Sequence, residues 1–494
     1  MILHTIDHTY KYECEKICRI YFPAEKIIFA SDCESIPEDN RTVYTKISIE
    51  DSFPVFYCKA EIDGSSEEYS FSFEGNEELT DSLKERLLAK AITKVLTSIT
   101  GIIPPWGILT GVRPAKLMRK YINAHGEEKA AEIFTRLLEV SREKTSLAAS
   151  VASYENTCIA MSDRNSYSLY ISIPFCPTRC SYCSFVSHSI DKAKKLIPDY
   201  VKNLCEEIRI TAKTAEELGL TLETVYMGGG TPTSFSAEHL RQITDTLNQS
   251  FDMKNIREFT VEAGRPDTID KEKLRVLKNA GITRISINPQ TFSDSVLQAI
   301  GRSHTAQETV EKYLLARNLG FNNINMDFIA GLPTDTYEGF CESLTRAVSL
   351  SPENITVHTL ALKRSASIVT GKETDSVASD TERMVEFSSR ILSENGYTPY
   401  YMYRQSKSVG NLENVGWCKK DKPCLYNIYM MEEIHTVLAV GGAAVTKLVN
   451  PDDESLERVY NFKYPYEYIT RFSEILSRKD EIRGFYKKLL QSNE

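Results

Sequence analysis

Residues 170–185, YISIPFCPTRCSYCSF, form a hydrophobic strand that runs directly into three closely spaced cysteines. Cys176, Cys180 and Cys183 have a CxxxCxxC spacing in the loop that follows the strand. Four thiolates complete an ordinary electron-transfer cluster, whereas three leave one iron with an open coordination position. A structural zinc site is the alternative, but zinc motifs usually pair a CxxC with a second pair of ligands elsewhere. The spacing therefore predicts a [4Fe–4S] cluster held by three cysteines.

This strand is the first of six candidates at regular intervals, each followed by a helical or loop-rich segment. Their sequences are SLYISI, ETVYMG, EFTVEA, RISIN, NINMDFI and NITVHTL. Strands that alternate with helices indicate parallel pairing with right-handed crossovers. Six units predict an α/β fold with an open (βα)6 partial barrel rather than a closed eight-unit one, and the site is expected where the strands end.

Glycines and polar residues stand at the ends of several of these strands. GGGTPTS at 228–234 ends the second strand, where a residue without a Cβ allows close approach of a ligand. Glu262, Gln290 and Asp327 end three other strands that are otherwise apolar. Buried polar groups need partners, so each side chain either bonds within the barrel or faces a ligand. Their convergence at one rim favours the ligand.

The segments on either side of the barrel predict two further domains. Residues 1–160 combine short strand-like runs with helical stretches and indicate an α+β N-terminal domain whose role the sequence does not reveal. Within it, GVRPAK at 111–116 either grips an anion or opens a helix with proline in its first turn, and we favour the helix. Residues 161–365 are expected to form the barrel. Residues 366–494 are expected to form a smaller C-terminal α+β domain that begins with a polar linker, GKETDSVASDTER.

The composition narrows the classes of partner. The 494 residues include 59 Lys and Arg against 68 Asp and Glu, a net charge of -9, which disfavours nucleic acid and anionic membranes as partners. The N-terminus has no leader pattern and no long apolar run follows it, so a cytoplasmic location is expected. Nine of the twelve cysteines lack tight multi-ligand spacing and are predicted to be buried thiols: Cys14, Cys18, Cys33, Cys58, Cys158, Cys205, Cys341, Cys418 and Cys424.

The YxxIPFC segment and the CxxxCxxC loop with an aromatic residue before the last cysteine resemble the radical S-adenosylmethionine (SAM) superfamily. The resemblance implies that the open iron binds the amino and carboxylate groups of SAM, whose cleavage gives a 5′-deoxyadenosyl radical. It also implies that Arg302 meets the SAM carboxylate, that Asp327 lies at the ribose and that GGT holds the methionyl end. The full set of implied SAM-binding residues is Tyr170, Tyr182, Gly229, Gly230, Thr231, Glu262, Gln290, Arg302 and Asp327.

The order of the motifs YISIPFC, GGGTPT, VEAGRPDT, RISINPQ and DFIAGLP is similar to the coproporphyrinogen-oxidase-like branch of that superfamily. This branch implies a tetrapyrrole substrate, an oxidoreductase that decarboxylates coproporphyrinogen III, an external low-potential electron donor and a separate electron acceptor. Haem trafficking of the chaperone type remains an alternative, as does a radical methyltransferase or haem-opening enzyme. Phe185 stands where the oxygen-independent oxidases have a further cysteine.

Three cations and two histidines are further candidates for contact with the tetrapyrrole. Lys363, Arg364 and Arg404 are candidates to bind its carboxylates, with ordinary surface charge as the alternative. His188 and His358 are candidate axial ligands, although a histidine without a partner motif is more often a hydrogen-bonded structural residue.

Overall fold

The computed structural model describes residues 1–23, 25–30, 40–75, 78–185, 187–361, 375–405 and 407–492. The chain divides into two compact units, whereas the sequence predicts three domains. The first unit comprises Met1–Ala152, Gly371–Ala378 and Tyr403–Glu413, and the second comprises Ser153–Thr370, Ser379–Met402 and Asn414–Glu494. Within the described ranges, no helix has both the length and the apolar character needed to cross a bilayer.

The first unit is built on a five-stranded sheet with the order β2-β1-β3-β4-β5. Strands β3, β4 and β5 are antiparallel, but β1 is parallel to both of its neighbours. Helix α1 follows β1 and allows this, because parallel neighbours need a crossover connection. The elements are β1 (Ile2–Ile6), α1 (Lys11–Tyr21), β2 (Ile28–Phe29), β3 (Arg41–Glu50), β4 (Phe53–Ile62), β5 (Ser65–Ser72), α2 (Asp81–Thr100), α3 (Pro114–His125), α4 (Glu127–Glu132) and α5 (Arg142–Ile159).

The helix ends of this unit follow local sequence chemistry. Helix α3 begins at Pro114, so the GVRPAK segment opens a helix, as we favoured. Proline fits there because the first helical N–H has no intrahelical partner. Helix α2 begins after Thr80, whose side chain accepts a hydrogen bond from the Leu83 amide, and it ends at Gly101 in the left-handed region.

We expect the substitution Thr80→Ala to destabilise the first unit by about 1 kcal/mol, because it leaves the Leu83 amide without its capping oxygen. Urea unfolding followed by circular dichroism measures the effect. Ser82→Ala, an exposed position of the same helical turn, serves as the control and should change stability by less than about 0.5 kcal/mol. Equal midpoints for the two variants would contradict the capping role.

The second unit contains an eleven-stranded sheet with the order β14-β15-β13-β12-β11-β10-β9-β6-β16-β17-β18. Strands β6 and β9 to β13 are the six predicted barrel strands, and each is parallel to the next. The predicted α/β (βα)6 partial barrel is therefore confirmed. Its elements are β6 (Ser166–Ile173), β7 (Phe175–Cys176), β8 (His188–Ser189), α6 (Ile190–Ala193), α7 (Ile197–Glu217), β9 (Thr221–Gly229), α8 (Ala237–Ser250), β10 (Glu258–Glu262), α9 (Lys271–Asn279), β11 (Arg284–Ser286), α10 (Asp294–Ala299), α11 (Ala306–Asn318), β12 (Ile324–Ala330), α12 (Tyr337–Leu350) and β13 (Asn354–Thr359).

The C-terminal strands extend the barrel sheet, where the sequence predicts a separate domain over 366–494. Strand β16 is parallel to β6, and β15 is antiparallel to β13 at the other end of the barrel. Every residue of β16 is buried, as expected for a parallel strand covered on both faces. The remaining elements are α13 (Asp375–Glu394), β14 (Thr398–Arg404), β15 (Glu413–Cys418), α14 (Leu425–Glu432), β16 (Thr436–Val440), β17 (Val445–Val449), β18 (Leu456–Tyr460), α15 (Pro465–Thr470) and α16 (Phe472–Ser492).

The predicted linker at 371–383 is wrong over its second half. Helix α13 begins at Asp375, so residues 375–383 are helical, while residues 371–374 lie outside the described part of the chain. The polar composition that indicates a linker also suits an amphipathic helix, because only one face of such a helix is buried.

Candidate functional site

The three closely spaced cysteines lie on a loop that is hydrogen-bonded to the residues that follow helix α10. Strand β6 leads through β7 to Cys176, at the carboxyl end of the barrel strands. The Ser181 amide donates to the carbonyl of Ile300 (3.1 Å), and the Thr178 hydroxyl donates to the carbonyl of Gly301 (3.1 Å). The Cys183 amide donates to the carbonyl of Cys180 (3.2 Å). These bonds fix the conformation of the loop that carries the three cysteines.

Burial and neighbouring sulfurs shift the protonation of two of the three thiols. Burial raises the pKa of the Cys176 and Cys183 thiols, and the nearby Cys180 sulfur adds to the rise in both. A metal centre reverses this preference, because thiols bind metal as thiolates and release their protons on binding. A cationic cluster would therefore favour deprotonation of the Cys176 and Cys183 thiols.

The donor set suits an iron–sulfur cluster. Cysteine thiolates are the ligands of [4Fe–4S] clusters, and three of them leave one iron with an open coordination position. Across the described ranges, no group of three or more His, Cys, Asp or Glu side chains is placed to hold one metal ion. The residues present therefore fit a cluster by the chemistry of their side chains.

The glycine-rich segment packs against the chain that leads into Cys176. The Gly230 amide donates to the carbonyl of Ile173 and the Thr231 amide to the carbonyl of Phe175, both at 2.7 Å. A Cβ on Gly230 would lie 2.5 Å from the Phe175 carbonyl oxygen, a distance that forbids any side chain. Glycine is therefore required at position 230 by close packing of the backbone. The sequence alone instead predicts that this glycine allows close approach of a ligand. The Thr231 hydroxyl lies 3.5 Å from the Cys176 sulfur.

Glu262, at the end of β10, is a half-buried residue whose carboxyl group is bonded to a tyrosine. The Tyr226 hydroxyl donates to Oε1 of Glu262 at 2.5 Å. Burial raises the pKa of Glu262 to about 7, although this hydrogen bond opposes the shift. The Tyr226 ring stacks on Tyr426 and Tyr170, with ring centroids 4.5 and 6.2 Å away. A ligand ammonium group at this position would favour the ionised carboxylate.

Asp327 and Gln290 lie side by side on adjacent elements. The Gln290 amide donates to the Asp327 carbonyl (2.9 Å), with Gln290 in the left-handed region at φ +68°. The Asp327 carboxylate accepts hydrogen bonds from Asn288 and Asn325, both at 2.7 Å. Burial alone would raise the pKa of Asp327, but the neighbouring His358 and the hydrogen bond from Asn325 hold it below its usual value. The carboxylate is therefore ionised and oriented.

Arg302 is oriented by three oxygen acceptors. Its Nη1 donates to the carbonyls of Gly264 (3.0 Å) and Asn288 (3.2 Å), and its Nη2 donates to the Tyr182 hydroxyl (2.8 Å). The Nε atom is buried and has no hydrogen-bond partner among the described residues. A buried N–H without a partner is costly. An incoming carboxylate would supply the missing acceptor, so this site fits the carboxylate of SAM.

Several residues that complete the site were not predicted. Asn288 and Asn325 orient Asp327, and a signal for both exists, because they are polar residues within the apolar motifs RISINPQ and NINMDFI. Arg265 lies in EAGRPDT, one of the quoted motifs, and contacts Cys180. Tyr226 alternates with apolar residues in ETVYMG, whereas no sequence signal indicates that Tyr426 stacks on it.

The predicted carboxylate-binding cations are not supported as a group. Arg404 is 3% exposed, so the prediction is wrong for this residue. Its guanidinium lies 5.5 Å from the Trp106 ring centroid and donates to the carbonyls of Leu109 (2.5 Å) and Asn411 (3.1 Å). It therefore stabilises the first unit from within. Lys363 and Arg364 lie outside the described residues.

The histidine and cysteine predictions have mixed outcomes. Nε2 of His358 lies 3.9 Å from the Asp327 carboxylate, which gives it an acidic partner. His188 contacts the Tyr464 ring edge-on.

Among the scattered cysteines the prediction of burial is confirmed for seven, Cys341 is half-buried and Cys33 is outside the described residues. The buried ones are Cys14, Cys18, Cys58, Cys158, Cys205, Cys418 and Cys424.

Known proteins resemble this chain over most of its length. The family model for the radical SAM superfamily matches residues 170–347. The chain is 41% identical over 394 residues to the oxygen-independent coproporphyrinogen-III oxidase-like protein HemZ of Bacillus subtilis, a match that covers 78% of each protein.

Two further comparisons are less extensive. The heme chaperone HemW of Bacillus subtilis is 38% identical over 198 residues, which cover 40% of this chain and 51% of that protein. The structure of the Escherichia coli coproporphyrinogen III oxidase HemN aligns with a TM-score of 0.49 at 21% identity, covering 65% of this chain and 72% of that one. The extent and identity of the HemZ match decide the family. The chain belongs to the coproporphyrinogen-III-oxidase-like branch of the radical SAM superfamily and uses a [4Fe–4S] cluster and SAM.

Proposed function

We propose that this protein is an oxygen-independent coproporphyrinogen III dehydrogenase that converts two propionate side chains of its substrate to vinyl groups, giving protoporphyrinogen IX. The observation that carries the proposal is the 41% identity to HemZ over 78% of both chains. We further propose that it acts in the cytoplasm with an external low-potential electron donor and a separate electron acceptor.

The proposed cluster ligands are Cys176, Cys180 and Cys183, which leave one iron for SAM. Bound together, the cluster and SAM supply a 5′-deoxyadenosyl radical. The remaining proposed roles, the contacts with SAM, belong to polar residues near the carboxyl ends of the barrel strands. Arg302 binds the SAM carboxylate through its buried Nε, and Asp327 holds the ribose with its carboxylate fixed by two asparagines. The other proposed SAM-binding residues are Tyr170, Tyr182, Gly229, Gly230, Thr231, Glu262 and Gln290.

Glu262 is suited to the amino group of SAM for an electrostatic reason. Its pKa of about 7 means that a nearby cation shifts the carboxyl to the ionised form without a large cost. The Tyr226 hydroxyl donates to one carboxylate oxygen, and because each carboxylate oxygen has two lone pairs, the group can accept a further hydrogen bond from a ligand. Binding of SAM would thus form two ion pairs. The Glu262 carboxylate would pair with the amino group of SAM, and the Arg302 guanidinium would pair with its carboxylate.

The reaction balances as a two-electron oxidation of each propionate, in which one electron leaves with a hydrogen atom and the other passes to the acceptor. Transfer of a hydrogen atom from the propionate β-carbon to the 5′-deoxyadenosyl radical gives 5′-deoxyadenosine and a substrate radical. The bond between the α-carbon and the carboxylate then breaks, CO2 leaves, a vinyl group forms and one electron passes to the acceptor. The residues around SAM contribute by fixing its position, since a misplaced reactive atom costs rate steeply.

An anaerobic product assay tests the proposal. With SAM, a low-potential reductant, an electron acceptor and coproporphyrinogen III, the reconstituted protein should release CO2 and form one 5′-deoxyadenosine for each propionate lost. The Cys180→Ala variant is the control and should form neither product. Absence of a vinyl product from protein that cleaves SAM would contradict the proposal.

Haem trafficking is a second candidate, because a relative that is 38% identical over 198 residues is named as a heme chaperone. The same preparations separate the two functions. Tight binding of haem with no decarboxylation of coproporphyrinogen would favour trafficking. A methylated or ring-opened tetrapyrrole would instead indicate a methyltransferase or a haem-opening enzyme.

A further inference from the structure

A buried arginine contacts one of the three clustered cysteines. Nη1 of Arg265 donates to the Cys180 sulfur at 3.4 Å, and the Arg265 side chain is 4% exposed. Both residues are buried. A cation at this position is costly unless its N–H groups are bonded and its charge is compensated.

The other contacts of Arg265 hold its guanidinium against the cysteine loop. Its Nε and Nη2 donate to the two carboxylate oxygens of Asp267, both at 3.0 Å, in a bidentate pair. Both terminal nitrogens also donate to the Thr178 hydroxyl at 3.1 Å. Thr178 lies between Cys176 and Cys180, so Arg265 links the end of β10 to the loop. A lysine has no planar fork and cannot reproduce this pattern.

The local turn after β10 places Arg265 there. The Thr268 amide donates to the Arg265 carbonyl (2.9 Å), and the Thr268 hydroxyl donates to the same oxygen (2.7 Å). Pro266 follows Arg265 and limits the backbone of both residues. The turn therefore fixes the arginine before any cluster is bound.

We propose that Arg265 is a positioning residue that donates an N–H···S hydrogen bond to the cluster ligand Cys180 and raises the reduction potential of the cluster. The inference rests on the proposed cysteine ligands and is independent of the tetrapyrrole substrate. Reduction adds one negative charge to the cluster, and a nearby cation stabilises the reduced form more than the oxidised one. Hydrogen bonds to the sulfurs act in the same direction.

The test is a redox titration of the full chain, reconstituted under anaerobic conditions and followed by electron paramagnetic resonance. Arg265→Gln removes the charge, and we expect it to keep the cluster but to make reduction about tenfold less favourable. For a one-electron couple this is a shift of about 59 mV to more negative potential. Arg265→Lys keeps the charge without the fork and should fall between Arg265→Gln and the wild type.

Arg275→Gln is the matched control, because the same substitution there removes an exposed charge on α9. Its cluster should titrate at the wild-type potential. The proposal is overturned if Arg265→Gln holds a full cluster at the wild-type potential, or if the control shifts by the same amount. A full cluster in Cys180→Ala would instead overturn the ligand set on which the inference rests.

Asp267→Asn tests the proposed role of Arg265 if Arg265→Gln fails to fold or to hold iron. This variant keeps the arginine and removes its compensating charge, so the potential should move to a more positive value. An unchanged or more negative potential in Asp267→Asn would overturn the role of Arg265.

Discussion

Replacing any one of Cys176, Cys180 and Cys183 by alanine should abolish the [4Fe–4S] cluster, whereas reconstituted wild-type protein should hold about four irons and four sulfides per chain. With three protein ligands and one iron reserved for SAM, the loss of a single thiolate leaves a second iron without a protein ligand. Iron and sulfide analysis, together with the visible absorption of the cluster, measures the result.

Cys418→Ala and Cys424→Ala are the matched controls for this prediction. Both cysteines are buried in the same unit, but Cys418 contacts the Tyr154 hydroxyl and Cys424 contacts the Glu258 carboxylate. Neither variant should lose iron. A complete cluster in any of the three loop variants would show that the ligand set is different.

Arg302→Ala and Asp327→Ala should retain the cluster but bind SAM about thirtyfold more weakly. Each removes a charged partner of the ligand, which commonly costs about 2 kcal/mol. Isothermal titration of reconstituted protein with SAM, after the iron content has been checked, measures the affinity.

A surface arginine supplies the control for the SAM measurement. Arg241, on α8, forms an exposed ion pair with Glu238, so Arg241→Ala should leave the affinity unchanged. Wild-type affinity in both Arg302→Ala and Asp327→Ala would reduce these residues to a structural role within the barrel.

The features that could be predicted from the sequence are those that short segments encode. The CxxxCxxC loop after a strand is a local pattern, and it led to the cluster and to the family. The six parallel strands follow from alternating apolar segments and intervening helices, and the helix that begins at Pro114 follows from the constraints of proline. In each case the residues that carry the information lie within one element or its two ends.

Contacts between residues that are distant in sequence could not be predicted and became visible in the folded chain. Arg265 and Cys180 are 85 positions apart, and Asn288 and Asp327 are 39 apart. Strand β16 lies beside β6 although most of the unit separates them in sequence. Arg404, an apparent surface cation, is buried beside Trp106. Local periodicity shows which face of an element is apolar, but it does not show which element covers that face, because packing is set by the whole set of competing pairings.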